Sequence, residues 1–208
     1  MPLRYDSEAA LRHLAADPAI ARLIERAGPF TLVPRDDSPY VALMRAILYQ
    51  QLSGKAAATI HRRLLDRLGD GAADPVALLA LSEGDVRACG VSRGKLAALR
   101  DLAARTLDGT VPTGAELDTL DDEAVIQRLV AVRGIGRWTA EMLLIFTLGR
   151  ADVWPVDDLG VRRGYQLVHG LPEMLPPRAL VALGDPYRPY RSVAAWYCWR
   201  ATELTWPE

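Results

Sequence analysis

Apolar residues in this chain recur three and four positions apart and show no convincing period-two alternation, which restricts it to a helical architecture. Val41, Met44, Ile47 and Leu48 make one such stripe, and Leu96, Leu99, Leu102 and Ala103 another. The punctuation between stripes is equally legible. Ser7 opens a short helix that ends before Pro18, and Pro18 can begin the next, running to about Ala27 before Gly28-Pro29. A loop over 33–39 precedes the stripe that ends near Gln50-Gln51. Ser53 can cap a long helix to Leu68, Asp74-Pro75 pairs a cap with a first-turn proline, and Ser82 with Asp85 resembles a capping box. Further helices are expected over 92–108, 122–130, 137–148, 158–168, 177–183 and 191–204, with 109–114 as the best linker.

With 208 residues, half of them hydrophobic, the chain is long enough to bury a real core in one compact domain or two small lobes. Cys89 and Cys198 are the only cysteines and form no CxxC pair, so neither a disulfide framework nor a four-thiolate metal or iron–sulfur site is available. The opening MPLRYDSEAALRHLAAD mixes charges with apolar positions and lacks the unbroken apolar core of a secretory signal. The apolar run 142–148 is too short to span a bilayer. A cytoplasmic setting without membrane contact is expected.

A net charge of −1 argues against a protein coated with nucleic acid, because non-specific DNA binding relies on neutralised phosphates. Any DNA contact must be local. Short basic clusters exist at His61-Arg62-Arg63 with Arg67, at Arg93 with Lys95, and at Arg162-Arg163, although such clusters are usually solvated helix faces. His13, His61 and His169 show no metal-ligand spacing and are expected on the surface.

The most informative stretch is 129–164, LVAVRGIGRWTAEMLLIFTLGRADVWPVDDLGVRRG. Gly134-Ile135-Gly136 sits between two helices. Two glycines around one aliphatic residue give a tight turn whose backbone N–H groups no Cβ covers, and N–H groups at a helix start suit a phosphate oxygen. A bare GxG is also explained by a glycine C-cap. The longer string is more specific.

Leu129-x-x-Val132-x-Gly134-Ile135-Gly136-x-x-Thr139-Ala140 resembles the helix-hairpin-helix motif of DNA-binding proteins. The Gly/Pro-rich loop 149–157 followed by Asp158 resembles the loop and aspartate of the helix-hairpin-helix DNA glycosylase superfamily. Tyr49-Gln50-Gln51-Leu52-Ser53 looks like that family's wedge loop, and Tyr187-Arg188-Pro189-Tyr190-Arg191-Ser192 with residues 196–199 looks like its C-terminal signature. Together these cover roughly 40–205, and the pattern is most similar to the 3-methyladenine DNA glycosylase II group.

The resemblance implies an all-α, two-lobed fold with the active-site cleft between lobes, the whole of 1–208 forming one glycosylase unit. One lobe would span about 40–115 and carry the wedge loop; the other would combine 1–39 with 116–208, holding the hairpin at 129–148 and the catalytic loop at 149–158. Asp158 would be the catalytic carboxylate, with Asp157 read as the helix N-cap and as the alternative. Trp138, Trp199 and Met142 would line the base pocket. Gln50, Gln51 and Leu52 would be wedge residues, and Gly134, Ile135, Gly136 and Thr139 would meet DNA. Main-chain oxygens of Val130, Val132 and Ile135 would hold a monovalent cation, sodium or potassium; no cofactor is needed for catalysis and no iron–sulfur cluster is expected. For Trp154, Trp196 and Trp206 core packing is the expectation.

Lyase members of the superfamily carry a Schiff-base lysine where this chain has Trp138, so hydrolysis that stops at an abasic site is expected. Cleavage of an N-glycosidic bond passes through a sugar cation that a neighbouring carboxylate stabilises. A base alkylated at N3 or N7 is already cationic and leaves without a second acid. One aspartate therefore suits alkylated purines, excised from double-stranded DNA by a monomer with no obligate protein partner and associated with the nucleoid when on DNA. A non-catalytic helix-hairpin-helix module and a glycosylase for mismatched or deaminated bases are the competing readings.

Overall fold

The computed structural model describes residues 3–71 and 74–206, and every regular element among them is helical. In chain order these are α1 (Ser7–Leu14), α2 (Pro18–Ala27), α3 (Pro39–Tyr49), α4 (Gly54–Leu68), α5 (Pro75–Ala80), α6 (Glu83–Ala88) and α7 (Arg93–Leu107). They continue as α8 (Gly114–Leu117), α9 (Asp122–Leu129), α10 (Arg137–Phe146), α11 (Leu159–Val168), α12 (Pro177–Leu183) and α13 (Arg191–Ala201). Short 3-10 turns lie at Gly69–Gly71 and Asp185–Tyr187. No helix of the described residues is long and apolar enough to cross a membrane.

Local chemistry sets most helix starts. Asp17, Ser38 and Asp74 each precede a first-turn proline, and their side-chain oxygens accept from Ala19 N (2.8 Å), Val41 N (3.3 Å) and Val76 N (2.8 Å). Each cap satisfies an orphan donor and contributes about 1 kcal/mol, while proline at that position gives up no hydrogen bond. Helix α1 opens at Ser7 as expected, capped by Asp6, whose Oδ1 accepts from Glu8 N at 2.9 Å. Two boundaries differ from expectation. Thr113 and Glu116 form a capping box that starts α8 at the edge of the expected linker. Helix α10 ends at Phe146, where Gly149 turns through φ +61° and Arg150 N returns to Leu144 O at 2.9 Å.

The chain divides into two compact units. One joins the chain up to Arg35 with the chain from Leu144 onward, and the other is Asp36–Leu143. Residues 116–143, expected with the first, pack with the second. The cause is specific: Arg133 N donates to Asp101 Oδ2 at 2.7 Å and Gln50 Nε2 donates to Gly134 O at 2.9 Å, tying the hairpin to α7 and to the end of α3.

In the first unit, Leu14, Ile20, Leu23, Val161, Tyr165, Leu180, Val193 and Tyr197 form a buried cluster that also takes in Trp154, while Trp196 and Trp206 pack at its margin. Burial of each such aliphatic side chain stabilises by about 1.5–3 kcal/mol. Helices α11 and α13 approach so closely that a Cβ at Gly164 would stand 1.9 Å from the Cys198 carbonyl oxygen. In the second unit α3 and α7 pack together, burying Leu43, Met44, Ile47 and Leu48 on one and Leu96, Leu99, Leu102 and Ala103 on the other. Both apolar stripes face inward as their spacing requires.

Candidate functional site

In the first unit the loop 149–157 delivers Asp158 to the start of α11. Asp158 is buried, and it, not the exposed Asp157, is the N-cap: its Oδ1 accepts from Val161 N at 2.8 Å. The expected cap assignment is corrected on that geometry. The same oxygen accepts the indole N–H of Trp199, from α13, at 2.8 Å. A buried carboxylate is costly unless hydrogen-bonded, and these two donors, on different helices, meet that cost and fix where the group points.

Glycine makes the arrangement possible. A Cβ at Gly160 would lie 2.7 Å from Trp199 Cδ1 and 3.1 Å from Asp158 Oδ1, so any larger residue displaces the indole. The Trp199 ring also packs on Phe146, with centroids 5.3 Å apart. Trp138 and Met142, one helical turn apart, lie on the part of α10 that belongs to the second unit. Trp138 is 46% exposed and Met142 half-buried.

The loop that carries Asp158 is clamped by the C-terminal signature. Arg191 donates through Nε to Asp152 Oδ1 (2.6 Å) and through a terminal nitrogen to the Asp152 carbonyl (2.7 Å), and Arg188 donates to Asp152 Oδ2 (2.8 Å). Ser192 completes the clamp, its Oγ accepting from Val153 N at 3.0 Å and its N–H donating to Ala151 O at 2.9 Å. Sequence matching found these residues without revealing their role. Their partners lie 36 to 41 positions away, and spacing carries no signal over that range.

The second unit carries the hairpin. Gly134 takes φ +80°, a left-handed conformation that favours glycine, with Ala98 Cβ 3.4 Å from where its own Cβ would be. Gly136 is exposed, and a Cβ there would meet nothing within 4 Å, so its backbone is open to a ligand. Ile135 and Thr139, both expected to touch DNA, are buried. Ile135 anchors the turn and donates its N–H to Val132 O at 3.1 Å. Arg137, at the start of α10, is bound by Glu123 (3.0 and 2.7 Å) and Glu141 (3.1 Å); the Arg137 contacts hold the Glu123 carboxyl down at about 2.

The wedge loop stands in the same unit. Gln51 is exposed and holds φ +55°, a conformation uncommon for a side-chain-bearing residue, and Leu52 beside it is 41% exposed. Gln50 turns back and donates to the hairpin through Gly134 O. Lys95, expected in a basic surface cluster, instead donates to the carbonyls of Leu48 (2.6 Å) and Gln50 (2.8 Å). Burial lowers its pKa below the usual lysine value. Other clustered cations are likewise engaged: Arg67 with Asp85, Arg162 with Leu175 O (2.9 Å), Arg163 with Gln166 Oε1 (2.6 Å).

Two of the three histidines are not surface residues. His169 is half-buried beneath Tyr165, with Nε2 3.2 Å from the Tyr187 hydroxyl, and His61 is half-buried against Tyr49. Burial lowers both pKa values, Asp17 opposing the shift at His169 and Asp37 at His61. Among the described residues no cluster of His, Cys, Asp or Glu could hold a metal ion.

A hairpin with an open glycine backbone, a strained exposed glutamine, and a buried aspartate at the end of a clamped loop together define a protein of the helix-hairpin-helix, base-excising class. Residues 44–183 match the HhH-GPD superfamily of base excision DNA repair proteins, and the chain belongs to that family. It is 40% identical to DNA-3-methyladenine glycosylase 1 of Schizosaccharomyces pombe over 80% of this chain and 73% of that protein. It is 32% identical to the alkylbase DNA glycosidase-like protein mag2 of the same yeast over 96% of this chain and 95% of that one. Among solved structures, the S. pombe 3-methyladenine DNA glycosylase in complex with abasic DNA superposes with a TM-score of 0.83 at 37% identity, covering 94% of this chain and 97% of that one. A DNA-3-methyladenine glycosidase from Bacillus halodurans superposes with a TM-score of 0.84 at 35% identity, covering 91% and 86%.

Proposed function

We propose that this protein is a monofunctional DNA glycosylase that rotates alkylated purines of the 3-methyladenine and 7-methylguanine type out of duplex DNA and hydrolyses their glycosidic bond. The observation that carries the reading is Asp158, a buried carboxylate with one oxygen pinned by two N–H donors. A preorganised carboxylate of this kind stabilises a sugar cation as it forms, with no reorganisation at the moment of reaction. Capping α11 asks only for the bond from Val161 N; the second donor, from Trp199, fixes the carboxylate beyond what a cap requires. Because the alkylated base is itself a cationic leaving group, the chemistry asks for no second acid. The substrate class named for the relatives supports the same reading.

The other residues take supporting roles. Gly136 offers its backbone to a phosphate, Gln51 fills the space the base leaves, and the exposed indole of Trp138 attracts a cationic ring by stacking and cation–π interaction, worth about 0.5–2 kcal/mol. With Trp138 where a lyase lysine would stand, the product is an abasic site on an unbroken strand. The carbonyls of Val130, Val132 and Ile135 are the hard, neutral donors an alkali cation takes, and Val132 O keeps one lone pair beyond its bond from Ile135 N. They would hold sodium or potassium at the hairpin. In this role the protein works as a monomer in the cytoplasm, on the nucleoid.

The test is incubation with alkylated duplex DNA, followed by chromatography of the released bases and electrophoresis of the strands without alkali. Released 3-methyladenine with intact strands is the expected result. Trapping of a covalent adduct by borohydride, or no release at all, overturns it.

A further inference from the structure

Helix α7 carries groups that reach both DNA-facing features of the second unit. Lys95 Nζ, near its start, donates to Leu48 O at 2.6 Å and Gln50 O at 2.8 Å. Two turns on, Asp101 Oδ2 accepts from Arg133 N at 2.7 Å, and between them Ala98 lies beneath Gly134. Gln50 closes the circuit by donating to Gly134 O at 2.9 Å.

The carbonyls Lys95 takes belong to the C-terminal end of α3, where helix geometry leaves acceptors without intrahelical partners and the helix dipole favours a cation. Water would satisfy them as well. What water would not do is fix their direction, and Gln51, the next residue, needs a fixed direction because its φ of +55° is held only if the surrounding chain over-determines it. Lysine is suited to this position, because a compact cation with three donors on a long stem can bridge two carbonyls two residues apart. From the same helix, Asp101 holds the hairpin's Arg133 N–H.

We propose that Lys95 is a positioning residue for base extrusion, its bridge between the Leu48 and Gln50 carbonyls holding Gln51 in its left-handed conformation and in register with the Gly134 hairpin. Wedge and phosphate grip then advance as one body, and α7 sets their spacing. Lys95 itself touches no substrate. This rests on the glycosylase reading for its excision readout, so a readout independent of bond cleavage is needed.

The experiment uses the full chain with Lys95→Met, Lys95→Gln and Lys95→Arg, alone and combined with Gln51→Ala. Single-turnover excision is measured on one lesion in a well-paired duplex and in a single strand, and 2-aminopurine fluorescence reports base opening in undamaged and mismatched duplexes. Lys95→Met should slow excision from paired duplex about tenfold and from the single strand less than about twofold, since a base already unstacked needs no wedge. Its 2-aminopurine signal on paired duplex should drop in step. Lys95→Arg should recover most of the loss, and adding Gln51→Ala to Lys95→Met should slow the enzyme little further. Should Lys95→Met fail to fold, Lys95→Gln, which keeps a neutral N–H donor on a shorter stem, reads the same ratio. Equal slowing on both substrates, or losses that multiply in the double variant, overturns the proposal. A wild-type protein that opens duplexes yet releases no base overturns the glycosylase reading alone.

Discussion

The indole N–H of Trp199 and the main-chain N–H of Val161 converge on the same oxygen of Asp158, each at 2.8 Å. One donor belongs to the helix Asp158 caps and the other to a helix 41 residues further along the chain, so the carboxylate is fixed from two directions. Trp199 therefore acts on Asp158 by its hydrogen bond, whatever its ring also does for a bound base. Trp199→Phe separates these two contributions, because phenylalanine keeps an aromatic face and loses the N–H. Single-turnover excision by Trp199→Phe should fall about tenfold or more, the usual cost of a lost hydrogen bond to a carboxylate. Affinity for abasic-site DNA should stay near wild type, and stability should fall by no more than about 1–3 kcal/mol, the cost of leaving a buried acceptor short of one donor. A variant with the wild-type rate removes the hydrogen bond from the account.

Asp158→Asn keeps the shape and can still cap α11, since asparagine is a good N-cap residue. It removes the charge that would face a developing sugar cation. Excision should slow on the order of a hundred- to a thousandfold, while binding to abasic-site DNA survives. Asp157→Asn, on an exposed side chain, should excise at close to the wild-type rate. If Asp157→Asn is the inactive variant, the catalytic assignment is reversed.

What could be read in the sequence was what depends on near neighbours. Asp17-Pro18, Ser38-Pro39 and Asp74-Pro75 announce helix starts because cap and proline act within one turn. Asp158 and the Gly134 turn were visible because both belong to one contiguous motif. The division of the chain was less legible, since the bonds from Asp101 to Arg133 and from Gln50 to Gly134 join segments 32 and 84 residues apart. For the same reason Lys95 resembled a surface cation, and Arg188 and Arg191 resembled a signature without a purpose. His169 went unread as a half-buried group because Asp17, the carboxylate that hydrogen-bonds its neighbour Tyr187, comes from the opposite end of the chain.

Gly160 and Gly164 sit one turn apart on α11 and should fail differently when replaced by alanine. At 160 the new methyl meets the Trp199 indole at 2.7 Å, and the indole can move aside, breaking its bond to Asp158. At 164 it meets the Cys198 main chain at 1.9 Å, and a backbone cannot rotate away. Gly160→Ala should therefore lose activity and stay folded, its stability loss confined to that one broken bond. Gly164→Ala should lose stability by about 1–3 kcal/mol or fail to fold, the range expected for overpacking. Equal loss of stability in both would show that Trp199 is as rigidly held as the helix itself.

The two half-buried histidines give the protein a defined sensitivity to acid. Burial lowers the pKa of His169, with Asp17 partly opposing, and burial together with Arg45 lowers that of His61. In the unfolded chain both titrate near about 6.5. Between that value and the lower folded values the unfolded state binds more protons than the folded one, so stability must fall as the pH falls. It is fully present above the unfolded value, and its decline ends once the folded forms are themselves protonated. The melting temperature should accordingly drop between about pH 7.5 and pH 5.5, above the range where carboxylates titrate. His169→Gln and His61→Gln should each flatten the decline, and the double variant more than either. A wild-type melting temperature that is level or rising over that interval would show that neither ring is held neutral by the fold.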